Sequence, residues 1–201
     1  PSNLFAGRVL NIMKEFATDI YHDEDLASSA EQLRKEIADG IEKHGIVTTD
    51  QGKQIYAYEV DGLGNHNLMD DSNMPSLLSL PMLTDIEADD ELYQATREFI
   101  LSEANPYYYQ GRFAKGIGSP HTPDQQVWPI AISVEGLTSD SSEEKWEKIK
   151  LISENDADTN QVHESFHVDN PSSFTREWFS WANSMFCELV LDYCGYSIRY
   201  K

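Results

Sequence analysis

The sequence predicts an all-α fold in which helices stack in layers, one part of a barrel made of inner and outer helices. Three observations carry this. Segments of helical period alternate between two kinds: apolar nearly all round near residues 4–18, 74–80, 127–137 and 171–193, and amphipathic near 24–44, 88–102 and 142–155. The long polar loops mostly lead into the apolar kind. With 201 residues and a 40% hydrophobic fraction, the chain can bury one sizeable core, and no second domain is visible. The helices are too few to close a double ring, so a portion of one is expected.

Each element has its own grounds. Asn3–Ile20 places Leu4, Phe5, Val9, Leu10, Ile12, Met13 and Phe16 at helical spacing. Asp23–His44 carries a narrow stripe, Leu26, Ala30, Leu33, Ile37 and Ile41, on a charged body, and Gly45 is placed to stop it. Gln54–Val60 alternates and is rich in Tyr, which reads as a short extended segment. A short apolar helix is expected over Met74–Leu80, another helix over Glu87–Ser102, and a long loop dense in Gly, Pro and Tyr over Asn105–Pro123. Val127–Leu137 reads as an apolar helix, and Ser142–Glu154 as an amphipathic one through Trp146, Ile149 and Ile152. The last helix is expected to start at Asn170, a capping residue, with Pro171 in the first position where a missing N–H costs nothing. Its rows, Phe174, Trp178, Trp181, Met185 and Leu189 beside Phe179, Ala182, Phe186 and Val190, predict burial between neighbours.

Charge narrows the function. Asp+Glu number 35 against Lys+Arg 15, a formal net charge of −20, which repels nucleic-acid phosphates and anionic membrane surfaces. The acidity is spread along the chain and reads as a solubilising exterior. No apolar run approaches the roughly 20 residues of a membrane span, and there is no signal-like opening. The chain begins on Pro1 already in helical pattern, as a piece of a longer protein would. Cys187 and Cys194 lie seven apart, roughly 10 Å along a helix, too far for a disulfide while the helix continues; free buried thiols are expected. The sequence does not specify an oligomeric state.

Three polar loops compete for chemistry. Asp61–Asn73 offers Asp61, Asn65, His66, Asn67, Asp70, Asp71 and Asn73, able to bind sugar or water; Asp-Asp-Ser-Asn is equally an ordinary capping sequence, and both readings stand. Lys115–Pro123 has a Gly-Ile-Gly without either phosphate fingerprint, and His121, flanked by prolines, is either a presented imidazole or a hydrogen-bonder in a turn. The third, His163-Glu164-Ser165-Phe166-His167, puts a glutamate beside two histidines before a buried helix. It matches H-E-x-x-H, so a zinc peptidase is one alternative. That site needs a stable helix bearing both histidines and a third ligand, whereas Asp156–Gln161 before it and Asp169-Asn170-Pro171 after it would break a helix.

Taken together, YAYEVDGLGNHNLMDDSNMPSLLSLP, KGIGSPHTP with VWPIAIS, and HESFHVDNPSSFTREWFSWANSMF resemble glycoside hydrolase family 125, the exo-acting α-1,6-mannosidases, with fungal members nearest. The likeness runs over nearly the whole chain, in order. It implies an (α/α)6 barrel of the six-hairpin glycosidase type. The implied reaction is hydrolysis of terminal α-1,6-linked mannose with inversion, on a mannose-containing glycan and without metal or other cofactor. The HESF glutamate of that family is the general base, which corresponds to Glu164. The family's general acid is an aspartate upstream of the PSN-x-FA motif, which here opens the chain at Pro1. Residues 1–201 would then be the C-terminal part of one catalytic domain, inactive alone. His167 stands where the family pattern often has Asp, a departure that also disfavours zinc. Fungal kinship implies secretion or a secretory-pathway lumen.

Inverting hydrolysis uses one carboxylic acid to protonate the leaving oxygen and one carboxylate to activate water, about 6.5–9.5 Å apart. Asn65, Asp70, Asp71, Asn73, His121 and His163 suit the mannose hydroxyls. Tyr107 to Tyr109, Trp128 and Trp178 could pack on its ring or belong to the core. A non-catalytic carbohydrate-binding or structural helical module is the other alternative.

Overall fold

The computed structural model describes residues 1–196. Among these, seven α-helices alternate with nine short strands in four small antiparallel sheets. The helical framework follows the sequence expectation, and the small sheets are the addition to it. The chain forms two compact units, Pro1–Leu68 with Pro75–Thr96, and Met69–Met74 with the chain from Arg97 onward.

In the first unit, α1 (Ser2–Phe16) runs on through a π-helical turn at Ala17–Tyr21. Helix α2 (Glu24–Gly40) starts at Asp23, whose carboxylate accepts the Leu26 N–H at 2.9 Å, and passes through a second π-helical turn that ends at Gly45. Within this chain α1 is half-wet where its sequence predicts an inner helix: none of its residues is buried, and Val9, Met13 and Phe16 stay 40–52% exposed. Apolar period makes the helix, but within this unit α2 and α3 (Leu80–Leu83) cover only part of its face. Strand β1 (Ile46–Thr48) pairs with β2 (Gln54–Tyr56), and β3 (Glu59–Val60) with β4 (His66–Asn67). The predicted helix over Met74–Leu80 is absent. Leu77, Leu78 and Leu80 are buried as expected, but Ser76 and Ser79 trade hydroxyl–backbone hydrogen bonds with each other, a local alternative to helix. Asp90 starts α4 (Glu91–Ile100) by accepting the Tyr93 N–H at 2.8 Å, and the buried Tyr93 hydroxyl donates to the Leu78 carbonyl.

In the second unit the loop expected over Asn105–Pro123 contains a hairpin, β5 (Tyr108–Gln110) with β6 (Lys115–Ile117). Helix α5 (Pro129–Leu137) is buried along its whole length, the inner element its sequence predicts. It packs on both α6 (Ser142–Ser153) and α7 (Ser180–Tyr193). Its one charged residue is paired: buried Glu135 bonds buried Lys148, and Arg97 reaches the Glu135 carbonyl at 3.2 Å and the Glu144 carboxylate at 2.6 Å. The last helix starts later than predicted. Residues Asn170–Thr175 form strand β9 at a sheet edge, where Pro171 needs no amide hydrogen. Trp178 is consequently outside the helix and 68% exposed, and Trp181 is 37% exposed; Ala182, Met185 and Leu189 make the buried row. Cys187 and Cys194 are free but exposed, not buried, because they fall off that row.

Two predictions follow from this packing. A Cβ on Gly136 would lie 2.7 Å from Leu189 Cδ1, so Gly136→Ala should cost about 1–3 kcal/mol by overpacking, measured by equilibrium denaturation. Glu144 feels burial, which raises its pKa, but hydrogen bonds from Ser139 and Arg97 outweigh this and hold it below its ordinary value of 4.5. A carboxylate lowered by folding adds stability above its unfolded pKa, and that contribution is lost as pH falls through the folded value. Glu144→Gln should therefore lower the melting temperature at neutral pH, with the gap from wild type closing as pH drops below the carboxylate range.

Candidate active site

The second half of the HESFH stretch is a strand. Strand β8 (Ser165–His167) lies between β7 (Gln126–Val127) and β9, with Gln126 opposite His167, Val127 opposite Phe166, and Ser165 opposite Thr175. Ser165 and Phe166 are both buried, so the strand is packed on two faces. The Ser165 hydroxyl bonds the Gln126 side-chain oxygen and the Thr175 hydroxyl. Upstream, Asn183 of α7 clamps the chain: its amide donates to the Val162 carbonyl at 2.9 Å and its oxygen accepts the Val162 N–H at 3.2 Å.

This places the two histidines away from ligand duty. His163 is 1% exposed and stacks on Phe174 with ring centres 3.8 Å apart. Its Nδ1 lies 2.6 Å from the Glu177 carbonyl oxygen and its Nε2 3.1 Å from that of Asp156. Expected to meet a sugar hydroxyl, this ring is sealed in and both nitrogens are engaged with backbone. His167 accepts the Asp169 N–H. An extended chain advances roughly 3.3 Å per residue against 1.5 Å in a helix, so the pair lacks the one-face helical presentation that zinc peptidases use. Among the described residues no cluster of three His, Cys, Asp or Glu could hold a metal.

Glu164 is different. It is 9% exposed, and its N–H donates to the Thr175 carbonyl. Its Oε1 sits 3.3 Å from Arg176 Nε. No other side chain bonds this carboxylate among the described residues. Arg176 is largely exposed, its guanidinium lies over the Phe179 ring at 5.4 Å, and its backbone has φ 46°.

The first two loops converge in the same unit. Buried Asp71 accepts the Asn73 N–H at 3.2 Å and its side-chain amide at 3.3 Å, and lies 3.8 Å from His121 Nε2. Asn73 reaches the Ser119 hydroxyl at 3.4 Å, which accepts the His121 N–H. The Ser72 hydroxyl faces the carbonyls of Ile117 and Gly118. Asp70 is fully buried and its N–H donates to Asn105. A Cβ on Gly118 would lie 2.3 Å from the Gln126 carbonyl, so this loop runs directly against β7, which is paired to the HESFH strand. The local Asp71–Asn73 bonds fit the capping reading, yet no helix begins there and the carboxylate faces His121 across two loops. Asn65 belongs to the other unit, where its amides bond the Asp61 carboxylate.

A family model described as metal-independent alpha-mannosidase (GH125) matches residues 1–191. The chain belongs to glycoside hydrolase family 125. It is 47% identical over 169 residues to the meiotically up-regulated gene 157 protein of Schizosaccharomyces pombe, covering 84% of this chain and 33% of that protein. It superposes with TM-score 0.95 and 49% identity on a Streptococcus pneumoniae metal-independent α-mannosidase, solved as a non-productive substrate complex with α-1,6-mannobiose. That match covers 99% of this chain and 47% of the other, so the present chain spans half or less of the length of both relatives.

The structure brings Asp71, Asn73 and His121 together and holds the HESF stretch through three residues the sequence reading did not single out: Gln126, Asn183 and Arg176. Asn183 had a readable signal, an amide in the middle of an apolar helix; Arg176 had none. Asn183→Ala leaves the Val162 backbone pair without partners, so it should destabilise by about 1–3 kcal/mol, seen as a lower denaturation midpoint.

Proposed function

We propose that this chain carries the general base of an inverting exo-α-1,6-mannosidase, and that the base is Glu164. One observation supports it above others: a nearly buried carboxylate, held just before a paired strand by its own backbone bond to Thr175, with a single side-chain contact to one oxygen. In the reaction, the free oxygen of Glu164 takes a proton from water as that water attacks the anomeric carbon. The glycosidic bond breaks and its oxygen is protonated on the opposite face. The acid that donates this proton is an aspartate outside residues 1–201, as are the remaining helices of an (α/α)6 barrel. No step calls for a metal.

Asp71, Asn73 and His121 offer a mixed set of donors and acceptors for mannose hydroxyls; Asp70, expected among them, is fully buried and is left out. Trp178, exposed beside Arg176, can pack on a C–H face of the sugar. Trp128 is core, 2% exposed with its indole N–H donating to Thr122. His163 supports the strand and does not contact sugar.

In the full-length protein, Glu164→Gln should preserve the fold and remove turnover of α-1,6-mannobiose, because a general base contributes about 10²–10⁴-fold. Activity above a few per cent of wild type would exclude the assignment. Chelation should leave the wild-type rate unchanged; loss of activity restored by zinc would revive the metal reading. Residues 1–201 alone should hydrolyse nothing.

A further inference from the structure

We infer that Arg176 is the positioning residue for the Glu164 carboxylate, an assignment that rests on Glu164 being the base. Three features of the geometry converge on it. Its Nε is 3.3 Å from Glu164 Oε1, the carboxylate's side-chain contact among the described residues. The guanidinium is itself set by the Phe179 ring, 5.4 Å below it. Its backbone sits at φ 46°, a left-handed conformation that L side chains rarely adopt and that costs least at glycine.

These features make sense together. Thr175 pairs with Ser165 in the ladder, and the Glu164 N–H bonds the Thr175 carbonyl. A residue continuing in β conformation after Thr175 would follow the strand direction. The left-handed turn at Arg176 departs from it at the position whose side chain meets Glu164. A guanidinium N–H at one carboxylate oxygen restrains the carboxylate's orientation and leaves the other oxygen for water. Arg176 thus acts through Glu164 on the direction from which water is deprotonated, without touching the sugar.

The test is the Arg176→Gly variant of the full-length enzyme, in which glycine accepts the left-handed backbone and only the side chain is lost. Its melting temperature should stay within a few degrees of wild type, relief of the left-handed strain offsetting loss of the Glu164 contact. The kcat on α-1,6-mannobiose should fall roughly 10–100-fold, the scale of a misplaced reacting group, with KM within about threefold. Free guanidinium, far below denaturing concentrations, should restore part of the lost kcat, and Arg176→Lys should fall between the two. An unchanged kcat overturns the inference. So does a raised KM with kcat intact, which would mean contact with substrate, and so does a loss that guanidinium does not rescue and that tracks a lowered melting temperature. The Glu164→Gln control separates the two claims. If that variant stays active, the base assignment fails whatever Arg176 does; if it is dead while Arg176→Gly is fully active, only the positioning role fails.

Discussion

The pairing of β8 with β9 is the constraint on which the candidate site depends. Because Ser165 lies opposite Thr175, Glu164 at one end of β8 is brought beside Thr175 and Arg176. The same register stacks Phe174 on His163. Slip the pairing by one residue and every side chain changes face: His163 would lose its stack and Glu164 its cation. Register is therefore pinned from several directions, by the buried Ser165–Thr175–Gln126 cluster, by Asn183 on the upstream backbone, and by the bulge between Phe166 and His167. A strand this short gains little from its own ladder, so side-chain hydrogen bonds carry the specification.

The acidic composition divides into two populations. Most carboxylates are on the surface, where water screens them. A few are buried: Asp70, Asp71, Glu135 and Glu164. Glu135 is neutralised by Lys148 and belongs to the packing of α5 against α6. Asp71 is satisfied by amide donors from Asn73. Glu164 has a guanidinium at one oxygen only. Desolvating a charge is costly unless it is paired and hydrogen-bonded, so the acid that is least fully engaged is the natural place to look for a proton acceptor.

Much of this was legible in the sequence. Helical period located α1, α2, α4, α5 and α6, and the apolar composition of α5 correctly announced complete burial. Period failed where a short polar side chain or a proline could be read two ways. Asn170-Pro171-Ser172-Ser173 suits a helix start and an edge strand equally, and only pairing to β8 decides it. Ser76 and Ser79 likewise broke a helix that Leu77, Leu78 and Leu80 seemed to support. For the candidate site, residue type was enough to single out Asp71, Asn73 and His121, which the structure brings together. It could not show that His163 is enclosed, since enclosure depends on Phe174 and Glu177, ten or more residues away in sequence and set by the strand register.

The left-handed backbone at Arg176 has a consequence for the protein's evolution. A non-glycine residue in such a region carries strain on the order of 1–3 kcal/mol, a sizeable part of the margin by which domains stay folded. Every arginine codon is one nucleotide from a glycine codon. That change would relieve the strain and at the same time remove the side-chain contact to Glu164. Strain relief and the contact to Glu164 thus stand in opposition at this one position.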